Sequence, residues 1–105
     1  MEKWDNKNTN DLISALLLLK NKSDMKYFLR DLLTEKEIIE FGKRWQAAKM
    51  LEEKKSYTVI VKKTGLSSTT VARISKWLRH GMGGYRLVLK KTHDHHTNIK
   101  SEGSP

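Results

Sequence analysis

The run Thr64-Gly65-Leu66-Ser67 constrains this chain most, because it packs a helix stop and a helix start into a few residues. Gly65 suits the left-handed backbone that often follows a helix end. Ser67 offers a hydroxyl oxygen to an otherwise orphaned N–H at the next helix start. Ser56 can do the same for the preceding segment, so Tyr57 to Thr64 reads as one short helix and the stretch from Ser67 to His80 as a second. Leu66 is the apolar plug between them. Ile60, Val61, Leu66, Val71, Ile74 and Leu78 recur at spacings that let both helices bury one seam. The face left outside carries Ser68, Thr69, Thr70, Arg73 and Lys76. Short donors and cations of this kind fit the edges and phosphates of a DNA groove. The pattern is that of a helix-turn-helix.

Charge falls in the same half of the chain. The net charge of +9 is uneven: residues 43–91 hold thirteen Lys/Arg against two Asp/Glu, while residues 1–42 hold seven against eight. A basic surface alone is commonly a solvated face. Coincidence with a helix-turn-helix pattern turns it toward nucleic acid. Cysteine is absent, which rules out disulfides, thiolate metal sites and a cysteine nucleophile. No secretory pattern opens the sequence and its longest apolar run, Leu16 to Leu19, is too short to span a bilayer. The expectation is a soluble, cytoplasmic protein without membrane contact.

Taken in order, residues 1–9 read as a flexible arm, and Thr9 or Asn10 as the cap of a helix over residues 11–20. That helix is apolar on nearly every side. A chain with 37% hydrophobic residues has little to cover it. A second copy is the simplest cover for Leu12, Leu16, Leu17 and Leu19, which predicts a homodimer with interleaved helices. Ser23 or Asp24 caps the next helix, Met25 to Leu32. Thr34 and Glu37 then form a capping box opening the longest helix, from Glu35 to about Glu53. Its expected core stripe is Ile38, Phe41, Trp45, Ala48 and Leu51, with Gly42 allowing a close helix crossing. Glu52 to Lys55 is a polar hinge, and Gly81 to Gly84 a loop. Tyr85 to Lys91 is a last short helix packing Leu87 and Val88 on the core. Residues 92–105 are expected to be disordered. The resulting organisation is all-α: one helical domain over 10–91, with dimerisation helices at 10–55, the helix-turn-helix at 56–80, and a loop and last helix at 81–91.

Four segments resemble the tryptophan-repressor superfamily, and within it the small bacterial YerC/YecD-type branch. They are Leu32-Leu33-Thr34, the run Lys43 to Leu51, the run Thr64 to Ile74, and Gly81-Met82-Gly83-Gly84-Tyr85-Arg86-Leu87-Val88-Leu89. The resemblance spans roughly 10–91. It implies an intertwined TrpR-like homodimer that binds operator DNA as a transcriptional regulator, a repressor by analogy. In the founding repressor two arginines flank the corepressor, and a Gly and a Ser leave room for the indole. Arg73 matches the second arginine and Arg44 the first, whereas Ile74 stands for the Gly and Trp77 for the Ser. Two large side chains in place of two small ones fill such a slot. Arg44, Arg73, Ile74 and Trp77 therefore mark an effector pocket only for an unknown small molecule. Tryptophan is not expected as the corepressor, and no cofactor is expected.

For DNA, Ser68, Thr69, Thr70 and Arg73 are the candidates for base edges. Lys54, Lys55, Lys62, Lys63, Ser67, Lys76 and Arg79 are the candidates for phosphates. Pure capping competes for Ser67, a buried ion pair for Arg73, and plain solvation for the lysines. The expected partner is a roughly palindromic duplex met by two reading heads about 34 Å apart. His93, His95 and His96 cluster without an organised fourth ligand, so no metal site is assigned. No catalytic constellation of familiar spacing is present, which argues against an enzyme. The same basic face could instead serve a protein-interaction or RNA-binding module. The stretch from Lys54 to His80 offers such a module only Tyr57 and Trp77 for stacking.

Overall fold

The computed structural model describes the backbone of residues 2–103 and the side chains of residues 2–94. Six helices make up the regular structure of the described residues: α1 (Lys7–Leu17), α2 (Lys22–Leu32), α3 (Glu35–Glu52), α4 (Tyr57–Thr64), α5 (Ser68–His80) and α6 (Gly84–Gly103). No strand occurs among the described residues, so the fold is all-α. The chain divides into two compact units, Met1–Ile39 and Glu40–Pro105.

In the first unit the helix starts lie earlier than the sequence suggests. Asn6, not Thr9 or Asn10, caps α1, its side chain accepting from the Thr9 N–H at 2.9 Å. The Asn10 amide is occupied, donating to the Asn6 carbonyl at 2.8 Å and to Asp5 at 3.0 Å. Asn21 likewise caps α2 ahead of Ser23 and Asp24, accepting from the Asp24 N–H at 2.8 Å. Leu18 and Leu19 thus fall beyond α1. The expected capping box at α3 is present: the Glu37 N–H donates to the Thr34 hydroxyl at 3.1 Å, and the Thr34 N–H donates to the Glu37 carboxylate at 2.9 Å. The Thr34 N–H first, and the Thr34 hydroxyl after it, hold the Glu37 carboxyl below its usual range. Neither α1 nor α2 contains a buried residue.

The capping box gives a prediction with a sign. A carboxyl whose pKa is lowered by folding stabilises above its unfolded pKa, and loses that contribution as the pH falls through the lowered value. Thr34→Ala should cost about 1 kcal/mol near neutral pH. It should also flatten the acid limb of stability against pH below the ordinary glutamate range, though only in part, because the backbone N–H at position 34 remains. Urea melts of both proteins at several acid pH values check it.

The second unit holds the core. Ala47, Ala48, Met50, Ile60, Leu66, Val71 and Ile74 form one buried cluster, with Trp45, Leu51, Val61 and Tyr85 packed against it. Of the expected α3 stripe, Ala48 is buried and Trp45 and Leu51 pack on the core, whereas Phe41 is 47% exposed; Ala47 and Met50 are buried beside Ala48. Gly42 has nothing within 4 Å of where its Cβ would stand, so it serves no close crossing among the described residues. Glu52 to Lys55 is a fixed helix end and not a hinge. The Lys54 N–H donates to the Leu51 carbonyl and the Lys55 N–H to the Met50 carbonyl, both at 3.0 Å. That is a Schellman closure. Lys54 takes the left-handed position at φ 66°, where Gly is usual.

At the other end of the unit, Gly81 is required: a Cβ there would meet the Trp77 carbonyl oxygen at 2.5 Å. Tyr85 docks on the core, whereas Leu87 (55%) and Val88 (47%) stay exposed, opposite to expectation. The last helix does not end at Lys91. It runs on through residues expected to be disordered, because no Gly or Pro interrupts the chain between Tyr85 and Gly103. Residues 104 and 105 lie outside the description.

Candidate nucleic-acid interface

Helices α4 and α5 are set by local chemistry at each end. The Ser56 hydroxyl accepts from the Val59 N–H at 3.2 Å, and Gly65 closes α4 at φ 78°. The Thr64 hydroxyl donates to the Ile60 carbonyl at 2.7 Å and accepts from the Leu66 N–H at 3.2 Å. This buried Thr64 therefore ties the end of α4 to the turn, a role the sequence reading did not assign. Its one signal was a hydroxyl directly before the Gly. Lys43 from α3 also reaches the turn, its Nζ lying 3.7 Å from the Cβ position of Gly65. The Ser67 hydroxyl accepts from the Thr70 N–H at 3.1 Å and lies 2.9 Å from the Thr70 hydroxyl.

With Val71, Ile74 and Ser75 buried, α5 turns Ser68, Thr69, Arg73 and Lys76 to solvent. Thr70 is half-buried with its hydroxyl against Ser67, so both side chains serve the cap. Arg73 is not a buried ion pair: it is exposed, with its guanidinium 5.9 Å from the centre of the Trp77 ring. A cation over an aromatic face is held without losing its charge. Lys54, Lys55, Lys62, Lys63 and Arg79 are all exposed. Among the described residues the ion pairs are Arg30–Glu35 and Arg44–Glu40, so these cations are unneutralised.

The four residues matched to a corepressor slot do not converge on one cavity. Ile74 is 1% exposed in the core. Trp77 is 46% exposed and lines an open apolar groove of about 790 Å³ with Trp45, Met82, Tyr85 and Val88. Arg44 lies 3.5 Å from Glu40 and over the Phe41 ring at 5.6 Å, its buried Nε making no hydrogen bond. Of the tail histidines, His93 borders a different cavity, and the side chains of residues 95 and 96 lie outside the description.

A two-helix reading head with one outward basic face defines a helix-turn-helix protein. The Trp repressor protein family matches residues 7–93. The chain is similar to the uncharacterised protein YerC of Bacillus subtilis (strain 168), with 29% identity over 102 residues covering 97% of this chain and 98% of YerC. Among solved structures it is similar to a TrpR like protein from Eubacterium eligens ATCC 27750, with 33% identity, a TM-score of 0.83, and 87% and 94% of the two chains covered. A candidate Trp repressor from Staphylococcus aureus shares 27% identity at a TM-score of 0.81, with 89% and 96% covered. The chain belongs to the Trp repressor family, in its YerC-type branch. That family is one of DNA-binding transcription regulators and not of enzymes. No described helix is long and apolar enough to cross a membrane.

Proposed function

We propose that the chain is a cytoplasmic, homodimeric repressor of transcription that reads a roughly palindromic duplex through α5. The observation that carries this is the outward row Ser68, Thr69, Arg73 and Lys76, set on a helix whose opposite side is locked into the core. Thr69 and Arg73 meet base edges, with Ser68 at the start of the helix beside them. Lys55, Lys62, Lys63 and Lys76 neutralise phosphates. Selection of sites from random duplexes tests the reading: recovery of an inverted repeat with half-sites about 34 Å apart supports it. Equal binding to duplex, single strand and RNA overturns it. Affinity should also fall steeply with salt, by nearly one unit of log–log slope per phosphate contact.

Dimerisation is supported by apolar surface that none of the described residues covers. Leu17 and Leu18 are 76% and 77% exposed, and the Trp45–Trp77 groove is open. A second copy is the cover that a homodimer supplies. Ile13 and Leu17 stand one helical turn apart on α1, both exposed. Replacing both with Lys should turn a dimer into a monomer in sedimentation equilibrium and weaken binding to a two-half-site duplex. Tryptophan is not the corepressor in this reading. Ile74 occupies core space where the founding family keeps a Gly, and titration calorimetry with free tryptophan should show no saturable heat.

A further inference from the structure

At about 100° per residue, α5 has a flank on each side of its outward row. Trp77 lies on one flank, and Ser75 and Arg79 lie on the other. The second flank opens on a cavity of about 740 Å³ between the end of α3, α5 and α6. Lys54, Arg79, Arg86 and Lys90 line it, against the single carboxylate of Glu52. Leu51, Leu78 and Leu89 supply an apolar wall. We propose that this cavity binds a small organic phosphate of nucleoside-monophosphate size, its phosphoryl group on the cations and its body against the leucines.

The volume lies within the range of small-molecule sites, and apolar walls with a few convergent polar groups are their usual lining. Cations gathered in a concavity repel one another and concentrate anions. None of the four is in an ion pair among the described residues. Two of them are held in place by the fold. The Arg86 Nε donates to the Leu78 carbonyl at 2.7 Å, which fixes the guanidinium and leaves its other N–H groups free of that bond. Lys54 holds a left-handed position where Gly would be less strained, and its side chain lines the cavity.

Duplex DNA is the competing anion. Its backbone meets protruding cations, whereas these four surround a leucine-walled hollow. Arg79 is also about 16 Å along α5 from Ser68 at 1.5 Å per residue. A free phosphate ester reaches the hollow where a duplex backbone does not.

Titration calorimetry on the full chain, with adenosine 5′-monophosphate and inorganic phosphate as probes, tests the site beside duplex binding. Saturable binding of adenosine 5′-monophosphate is expected with Kd below about 1 mM. Inorganic phosphate should compete for it while binding more weakly. Lys90→Glu should weaken the nucleotide about tenfold or more, by reversing one charge near the phosphoryl group, and leave duplex affinity within about twofold. Arg86→Gln is the second variant, and circular dichroism checks that both remain folded. Three results would overturn the proposal: no saturable nucleotide binding, equal binding by wild type and a folded Lys90→Glu, or inorganic phosphate binding as tightly as the nucleotide. Loss of duplex affinity alone in Lys90→Glu would also overturn it, and would make the cavity part of the DNA contact.

Discussion

Ile60→Ala should destabilise the second unit by roughly 3 kcal/mol, within the span for emptying a buried isoleucine site. Ile60 is 0% exposed and belongs to the cluster of Ala47, Ala48, Met50, Leu66, Val71 and Ile74. Two features make the loss large. Its neighbours include alanines, whose methyl groups cannot swing into the vacated space, and close-packed interiors relax only in part. Its carbonyl also accepts the Thr64 hydroxyl that secures the turn between α4 and α5. A shift of the α4 backbone therefore reaches the reading head directly. Val59, the preceding residue, is 40% exposed. Val59→Ala should stay within about 0.5 kcal/mol, as surface changes usually do. Urea unfolding followed by circular dichroism separates the pair. A similar cost at both positions would show that α4 packs on a different face.

What could be read from the sequence was chemistry confined to neighbouring residues. Ser56, Gly65 and Ser67 declare their roles within one turn of chain, and Thr34 with Glu37 does the same. The seam residues followed because two helices fixed by those signals can meet in few ways. Local signals failed where several stood together. Asn6, Thr9 and Asn10 can each cap a helix; the earliest does so, and the amide of Asn10 is spent on Asn6 and Asp5. Spacing also misled where small residues carry the burial. Large side chains drew the α3 stripe through Phe41, which is exposed, and passed over Ala47, which is buried beside the expected Ala48. Polar composition suggested disorder after Lys91, yet composition does not break a helix and residues 92–103 contain no breaker before Gly103. The grouping of Lys54 with Arg86 and Lys90 was out of reach, because it joins the ends of different helices.

The DNA face gives the other large effect. In the homodimer proposed above, Thr69→Ala with Arg73→Ala should lower affinity for the selected site by roughly 100-fold or more, because each specific base contact discriminates by about 1–3 kcal/mol and a palindrome uses each contact twice. Binding to unrelated duplex should fall far less, since Lys55, Lys62, Lys63 and Lys76 keep the phosphate attraction. The double variant should thus approach one affinity for all sequences while its helical signal and melting stay near wild type, as Thr69 and Arg73 are both exposed. Arg73 is the more informative of the two. Its guanidinium rests over Trp77, which pre-sets its direction before any duplex arrives. Trp77→Ala should therefore weaken site preference while leaving the charge of Arg73 untouched. Competitive mobility shifts with selected and scrambled duplexes read both variants. Retained preference in the double variant would remove α5's outward row from base readout, and retained preference in Trp77→Ala alone would mean that Arg73 finds its base without the ring.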